Sequence, residues 1–409
     1  MSLGAGKART ADTSAFPAHP AAWRILAGSG GFDKLGLVMA IVTAAALTLP
    51  FANFRPNRIA AARGVELLGA LPAGIGWPSL LLFILAAATV LRRNGPLFRL
   101  LLAGAALIVL GVLIGLVPAA LMPPGKALAR VAPAAGFWLL AFSFAIILTD
   151  AAAKLALGPV RRLLALAVAA AVFAAFLISG HWNGLSVMKE YATYSDGFAG
   201  NALRHVELAL GSLAGALVIG LPLGIACHRS QKLRGIVLPV LNIIQTVPSI
   251  AMYGLMMAPL ALLAANYPLL RDLGIRGIGA APAVIALFLY SLLPVVSNTA
   301  AGLASVPPAA VDAAAGMGMT RRQRLFQVEL PLALPVILTG VRIVLVQNIG
   351  LVTIAALIGG GGFGFYVFNG IGQQAIDLVL LGTVPTIALA FTAAIILDAA
   401  VDLLKGQRS

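Results

Sequence analysis

The side chains that most often carry out covalent chemistry are few in this sequence and form no known active-site pattern. The histidines, His19, His181, His205 and His228, lie far apart, and none belongs to an HExxH motif or to a metal-ligand cluster. No GxSxG nucleophile motif occurs. The single cysteine, Cys227, ends an apolar segment, where we expect a buried, unreactive thiol. The sequence therefore predicts no catalytic residue and no metal site.

A glycine-rich run at 359–364, GGGGFG, raises the question of nucleotide binding. A phosphate-binding loop needs a lysine and a serine or threonine after its glycines, and no GK[ST] follows this run or occurs elsewhere. No cofactor is therefore expected in this chain.

Polar and proline residues interrupt the apolar segments of the second half. Pro248 must disturb its helix, because it removes a backbone donor and crowds the preceding turn. Polar groups at membrane depth are tolerated only beside protein or a water-filled cavity. We therefore predict a polar substrate pathway here, with interhelical hydrogen bonding as the alternative. The candidate residues are Asn242, Gln245, Thr246, Pro248, Ser249, Tyr253, Tyr290, Asn298, Gln347 and Asn348.

A second candidate site is the segment 312–331, DAAAGMGMTRRQRLFQVELP, which lies between two apolar stretches. We expect a short first helix capped by Ser305, with Pro307 and Pro308 near its first turn. Gly316 and Gly318 should end it, because glycine accepts a left-handed conformation without penalty.

A second helix is predicted directly after this turn. Thr320 and Gln323 form a capping-box pattern at its start. Pro331 and Pro335 should end it and open the next apolar span. The neighbouring Arg321, Arg322 and Arg324 contact a partner or simply anchor the loop on the cytoplasmic side.

The composition places all these residues in a membrane protein. Only 10% of the 409 residues are charged and 61% are hydrophobic, with a mean hydropathy of +1.01, whereas soluble domains carry about 25% charged residues. Apolar stretches of about 20 residues recur and must be helical, because lipid offers no partner to the backbone. Ten spans are predicted, near 35–53, 71–91, 100–121, 134–153, 163–180, 201–227, 235–264, 280–303, 333–358 and 379–403.

The distribution of basic residues predicts the orientation of the spans. The net charge of +15 does not indicate nucleic-acid binding, because the Lys and Arg residues lie in short loops between apolar spans. About two-thirds of them fall on the side that also holds both termini, which predicts cytoplasmic termini. The polar N-terminal residues are expected to form a cytoplasmic tail rather than a cleavable signal.

Four regions follow from this division. They are a tail at 1–34, a five-helix extension at 35–180, a periplasmic connecting segment at 181–199 and a transport core at 200–409 with its loop at 305–335. Two charged residues within spans, Glu207 and Arg342, are expected to pair with other groups or to reach a membrane face. GxxxG spacings at Gly211/Gly215 and Gly220/Gly224 permit close helix contact.

The loop residues resemble a known family motif. The pattern Asp312, Ala313, Ala314, Gly318, Val328, Leu330 and Pro331 resembles the "EAA" loop of permease subunits of type I ABC importers. The family pattern begins with Glu and often has Ile where Val328 stands.

The resemblance implies an all-α polytopic membrane protein with a type I ABC importer core and an N-terminal multi-helix extension. Its loop would be a coupling helix that docks on ATP-binding cassette subunits, which bind ATP and Mg. Its other partners would be a second permease subunit, either a second copy or a related chain, and a periplasmic substrate-binding protein. Its location would be the bacterial inner membrane.

Two further segments narrow the resemblance. QTVPSIA at 245–251 and IGGGGFGFYVFNGI at 358–371 resemble permeases for osmoprotectants such as glycine betaine, carnitine and choline, and the extension resembles the YehY-like branch. The alternatives are an amino-acid permease, an ion-coupled secondary transporter and a polytopic membrane enzyme. Aromatic rings that could contact a quaternary ammonium group, or that serve packing alone, are those of Tyr253, Tyr290, Phe363, Phe365 and Tyr366.

Overall fold

The computed structural model describes residues 33–58, 60–91, 94–122 and 128–406. The predicted tail at 1–34 lies almost entirely outside these residues, as does His19. The described helices of the first half are α1 Lys34–Leu47, α2 Leu67–Ala70, α3 Ala73–Val90, α4 Pro96–Leu121, α5 Ala135–Lys154 and α6 Pro159–Ile178. Three short strands accompany them, β1 Ala52–Arg55, β2 Arg63–Val65 and β3 Arg130–Pro133.

The second half consists of helices joined by short turns. They are α7 Ser186–Thr193, α8 Ser195–Arg229, α9 Gln231–Thr246, α10 Ser249–Asn266, α11 Pro268–Asp272, α12 Ala280–Ala304, α13 Pro308–Gly316, α14 Arg321–Arg324, α15 Leu330–Ala355, α16 Gly364–Gly372 and α17 Ile376–Gly406. A π-helical turn, Leu325–Glu329, joins α14 to α15, and a 3-10 turn, Ala356–Ile358, follows α15.

Within the described residues, nine helices are long and apolar enough to cross a membrane. The first predicted span, 35–53, is wrong in length, because α1 has only 14 residues and β1 begins at Ala52. A helix of that length rises about 21 Å, less than the apolar thickness of a bilayer. Pro50 lies between the two elements and cannot donate a helical hydrogen bond.

The predicted span 235–264 is also corrected, since it consists of two helices, α9 and α10, that are separated at Val247 and Pro248. The predicted connecting segment 181–199 is largely helical, because it holds α7 and the first turn of α8. Because this segment is polar, its hydrophobicity did not indicate a helix.

The described chain divides into two compact units. The first contains 33–51, Glu66–Leu110 and Ala135–Leu155. In it α1 packs closely on α3 and α5: a Cβ on Gly36 would lie 2.2 Å from the Val90 carbonyl oxygen, and one on Gly136 would lie 2.7 Å from that of Ala46. The hydroxyls of Thr43 and Ser143 are 2.9 Å apart in this interface.

A buried guanidinium stabilises the same unit. Arg99 is 3% exposed and forms ion pairs with Asp33 and, at 3.7 Å, with Asp150. Burial by itself would raise the pKa of Asp33, but the hydrogen bond and positive charge of Arg99 outweigh it and lower that pKa.

The second unit contains the described residues within Ala52–Val65, Gly111–Ala134 and 156–406. Helix α6, the part of α4 from Gly111 onward and all three strands therefore group with the second half rather than with the other helices of the predicted extension. The strands form an antiparallel sheet in the order β2-β1-β3, with Ala52 opposite Val65 on one side and Pro133 on the other. Glu190 of α7, 2% exposed, pairs with Arg58 at 3.2 Å and with Arg130 at 3.5 Å.

Helix α12 forms the centre of the transport core and packs between α8 and α15. Their apolar side chains, among them Leu208, Leu287 and Val352, are fully buried. The GxxxG pair Gly220/Gly224 lies in the interface of α8 with α12, where a Cβ on Gly224 would be 2.5 Å from Thr299 Cβ. Gly211 of the other pair has no atom within 4 Å of the corresponding position, so only one of the two spacings serves close helix packing.

Candidate functional site

The loop between α12 and α15 has the predicted helix-turn-helix arrangement, but its first cap is different. Helix α13 begins at Pro308 with Pro307 as its N-cap. The expected cap Ser305 is wrong: it follows the end of α12, and its hydroxyl donates to the Gly302 carbonyl at 2.7 Å. Two successive prolines start α13 without a side-chain cap, because a proline in the first turn loses no helical hydrogen bond.

Gly318 adopts the left-handed conformation that its position predicted, with φ +80°. The end of α13 is closed by three backbone hydrogen bonds, from the N–H of Met317 to Ala313, of Gly318 to Ala315 and of Met319 to Ala314, at 3.0 to 3.2 Å. A Cβ on Gly318 would have no neighbour within 4 Å. The turn therefore requires glycine for its backbone conformation and not for lack of space.

The start of the next helix is confirmed as a capping box between Thr320 and Gln323. The predicted end at Pro331 is wrong, because the helix continues from Arg321 through the π-helical turn into α15. The Leu330 N–H bonds to the Leu325 carbonyl, five residues back. This wider turn shifts the hydrogen-bond register just before Pro331, where the missing N–H would otherwise interrupt the helix.

Some of the motif residues are exposed, and the others pack against the transport core. Asp312, Ala313 and Gly318 are exposed, whereas Ala314 is buried, and Val328, Leu330 and Pro331 are half-buried. Leu330 packs beside a cluster formed by Leu303, Val306, Ala333 and Ile337. The motif thus presents small and acidic residues to the outside, while its apolar residues pack on α12 and α15.

Two contributors to this loop were not predicted. Met317 is 74% exposed beside the glycine turn, a large apolar side chain among exposed alanines and glycines. Glu329 is buried, and its Oε2 accepts a 2.6 Å hydrogen bond from Arg229 at the end of α8. A lone acidic residue in the apolar stretch before Pro331 was the sequence signal for this pair.

The helix break at Pro248 is confirmed and complete. Helix α9 ends at Thr246, Val247 is extended, and Pro248 is the N-cap of α10. Side chains fix the break to α12: Gln245 Nε2 donates to the Tyr290 carbonyl at 2.7 Å, and the Tyr290 hydroxyl donates to the Val247 carbonyl. The extended residue thus keeps a partner for its carbonyl without a helical hydrogen bond.

An open cavity of about 390 Å³ lies beside the break. Six predicted pathway residues line it together with Val247 and Leu351: Gln245, Thr246, Pro248, Ser249, Tyr290 and Gln347. Residues from α9, α10, α12 and α15 therefore meet at one place, and their role in a substrate pathway stays a prediction.

The other four candidates lie elsewhere. Asn348 is fully buried and its Nδ2 lies 2.9 Å from Ser212 Oγ and 3.0 Å from Ser291 Oγ. Asn298 donates to the Pro294 carbonyl of its own helix, and the buried Tyr253 donates to the Leu351 carbonyl at 3.0 Å. Asn242 is exposed. The alternative of interhelical hydrogen bonding thus describes Asn348 and Tyr253.

The aromatic candidates are mostly used for packing. Phe363 and Tyr366 are buried in a cluster with Tyr194 and Phe198, and Phe365 packs edge-on against Tyr366 at 5.3 Å. Of the five rings, that of Tyr290 is the one that lines the cavity in the part of the chain that the structure describes.

The glycine run lets the backbone between α15 and α16 turn tightly and pass close to α15. Gly359, Gly361 and Gly362 have φ of +78° to +80°, and a Cβ on Gly364 would lie 1.9 Å from the Thr353 carbonyl oxygen. The fully buried His205 stabilises this turn with both of its ring nitrogens. Its Nδ1 accepts a hydrogen bond from the Phe363 N–H at 3.2 Å, and therefore its Nε2 donates to the Ile349 carbonyl at 2.9 Å. This histidine thus has a structural role.

The predicted charged pairs within spans are also present. Arg342 forms an ion pair with Asp398, and Glu207 lies 3.2 Å from Arg204 on the same helix. Among the described residues, no group of three or more His, Cys, Asp or Glu side chains lies close enough together to hold a metal ion.

Comparison with known proteins places two family models on the chain. The model described as the N-terminal domain of ABC transporter permease YehY matches residues 33–188. The model described as the inner membrane component of binding-protein-dependent transport systems matches residues 216–407.

Curated relatives match the second half. The osmoprotectant import permease protein OsmW of Salmonella typhimurium is 43% identical over 46% of this chain and 82% of its own length. The glycine betaine/carnitine/choline permease protein OpuCB of Bacillus subtilis is 37% identical over 46% and 78%. OpuCD of the same organism is 34% identical over 52% and 88%.

A solved structure of the MetNI methionine ABC transporter in inward-facing form is similar at 21% identity and a TM-score of 0.43, over 51% of this chain and 95% of its own. The family itself is shown by the curated relatives, because the chain covers most of their length at more than 30% identity. This chain belongs to the family of binding-protein-dependent transport system inner membrane components, the permease subunits of ABC importers.

Proposed function

We propose that this chain is the permease subunit of an importer for a quaternary ammonium osmoprotectant such as glycine betaine, carnitine or choline. The observation that carries the proposal is the likeness to osmoprotectant permeases over the transport core, at 34% to 43% identity and most of their length. The polar cavity at the helix break of α9 and α10 lies within this matched region and supports a route for a small solute.

The energy for transport comes from a separate subunit in this proposal. ATP and Mg bind to ATP-binding cassette subunits, and the chain itself contributes no ATPase site, since its sequence holds no GK[ST]. Those subunits contact the loop of α13 and α14, where Asp312, Ala313 and Met317 form an exposed surface. Small alanines permit close approach, and an exposed methionine adapts to an apolar groove.

The family indicates the remaining partners, and the charge pattern indicates the orientation in the membrane. A substrate-binding protein delivers the solute on the outer face, and a second permease subunit, either another copy or a related chain, completes the pathway. The protein lies in the bacterial inner membrane with both termini in the cytoplasm in this proposal, because most of its basic residues then fall on the cytoplasmic side. This orientation needs an even number of crossings, so α1 and the residues after it cross in addition to the nine long helices, where the bilayer thins around the short helix.

Uptake of labelled glycine betaine into proteoliposomes tests this function. The complete complex is reconstituted with ATP inside and the binding protein outside, and we expect uptake that requires both. Uptake driven by an ion gradient without ATP would refute the importer. ATP hydrolysis stimulated by the binding protein without uptake of any quaternary ammonium compound would refute the substrate class.

A further inference from the structure

The cavity at the helix break combines polar groups with the absence of formal charge. No described residue that lines it is Asp, Glu, Lys, Arg or His. A net charge held there would lack a counter-charge, and an uncompensated ion at membrane depth is costly. The cavity therefore favours a ligand that has no net charge.

Two of its side chains are free to bind a ligand. Gln347 and Ser249 line the cavity, and neither makes a hydrogen bond within the part of the chain that the structure describes. Gln245 keeps its carbonyl oxygen available, because only its Nε2 is used, toward Tyr290. Donors and acceptors are thus both present around the same space.

The break adds partial charges of both signs. Helix α9 ends at Thr246 and α10 begins at Ser249, and both residues line the cavity. The terminal carbonyls of α9 carry partial negative charge and the first N–H groups of α10 carry partial positive charge. A ligand with one positive and one negative end is complementary to such a pair of helix ends.

The apolar part of the wall suits methyl groups. Val247, Pro248 and Leu351 contribute carbon surface, which contacts a methylated ammonium without leaving N–H donors unpaired. The volume of about 390 Å³ is within the usual range for small-molecule sites, about 300–1,000 Å³. We propose that this cavity binds a zwitterionic methylated amine such as glycine betaine in preference to a monocation such as choline. This proposal rests on the proposed function.

Direct binding to the permease tests the preference without the binding protein. The permease and its ATPase subunits are placed in nanodiscs, and labelled glycine betaine and choline are titrated by scintillation proximity. We expect glycine betaine to bind at least ten times more tightly than choline. Gln347→Glu should shift this ratio at least tenfold toward choline, because a carboxylate attracts the cation and repels the carboxylate of betaine.

Two further variants keep the test decisive. Asn266→Asp places the same charge at the exposed end of α10, outside the cavity, and should leave the ratio unchanged. Ser249→Asp adds the charge in the first turn of α10, where an acidic residue is favourable, and replaces Gln347→Glu if that variant fails to assemble.

Several results would overturn the proposal. They are the absence of saturable betaine binding to the wild-type complex, a wild-type ratio near one or in favour of choline, and a ratio that the cavity variants leave unchanged. If binding-protein-dependent uptake of betaine still occurs in liposomes, only this site is wrong. If no quaternary ammonium compound is taken up at all, the proposed function itself is wrong.

Discussion

Gly318→Ala is the sharpest test of the coupling loop. The residue has φ +80°, and no atom lies within 4 Å of the position that a Cβ would take. The structure therefore leaves room for an added side chain. The cost is therefore conformational, about 1–2 kcal/mol for an L-residue in the left-handed region.

The expected loss of affinity can be calculated from this cost if the ATPase subunit binds the native turn. A cost of 1–2 kcal/mol lowers the population of the binding conformation, and hence the affinity, by roughly 5- to 30-fold. Alanine is a stricter probe than aspartate, because Asp tolerates the left-handed conformation better. Gly316→Ala is the matched control: it adds a methyl group that meets nothing within 4 Å, and that residue has no positive φ.

The assay is the equilibrium affinity of the purified permease for its ATPase subunit, together with ATP-driven uptake. We expect Gly318→Ala to weaken binding and to slow uptake, while Gly316→Ala retains wild-type affinity. Wild-type affinity for Gly318→Ala, with normal uptake, would refute a role for this turn in coupling. Equal losses in both variants would show that the added methyl group, and not φ, causes the effect.

Three further predictions concern the transport core. Asn348→Leu should lower the free energy of unfolding by about 1–3 kcal/mol, because buried hydrogen bonds are lost. Gln347→Leu should alter uptake with little change in thermal stability, and equal stability losses in the two variants would contradict their different roles. Gly224→Ala should destabilise by about 1–3 kcal/mol and Gly211→Ala hardly at all in thermal unfolding, and the reverse order would refute the packing argument. Pro248→Ala restores a helical donor across the break, so uptake should fall while membrane insertion is retained, and unchanged uptake would remove this break from the pathway.

Much of the architecture could be predicted because it depends on local chemistry. Long apolar runs require helices in lipid, so most of the spans lie where they were expected. The turn at Gly318, the capping box at Thr320 and the break at Pro248 are backbone properties of single residues, and all three are present. The loop motif and the osmoprotectant segments likewise indicate the permease family through the identity and spacing of their residues.

Other features depend on contacts that local sequence does not contain. The segment 35–53 is mostly apolar, but β1 begins within it and pairs with β2 and β3, which come from separate parts of the chain. The register shift before Pro331 arises where Glu329 must reach Arg229 of another helix. Such pairings follow from tertiary packing, and hydrophobicity alone does not predict them.

The two amides at 347 and 348 show most directly what the sequence determined and what it left open. The sequence determined that two polar groups stand in the middle of an apolar span. Their environments differ because neighbours on an α-helix point about 100° apart. Gln347 therefore lines the cavity while Asn348 lies in the buried interface with Ser212 and Ser291. Only the packing of α8, α12 and α15 decided which amide faces the cavity and which binds the helices together.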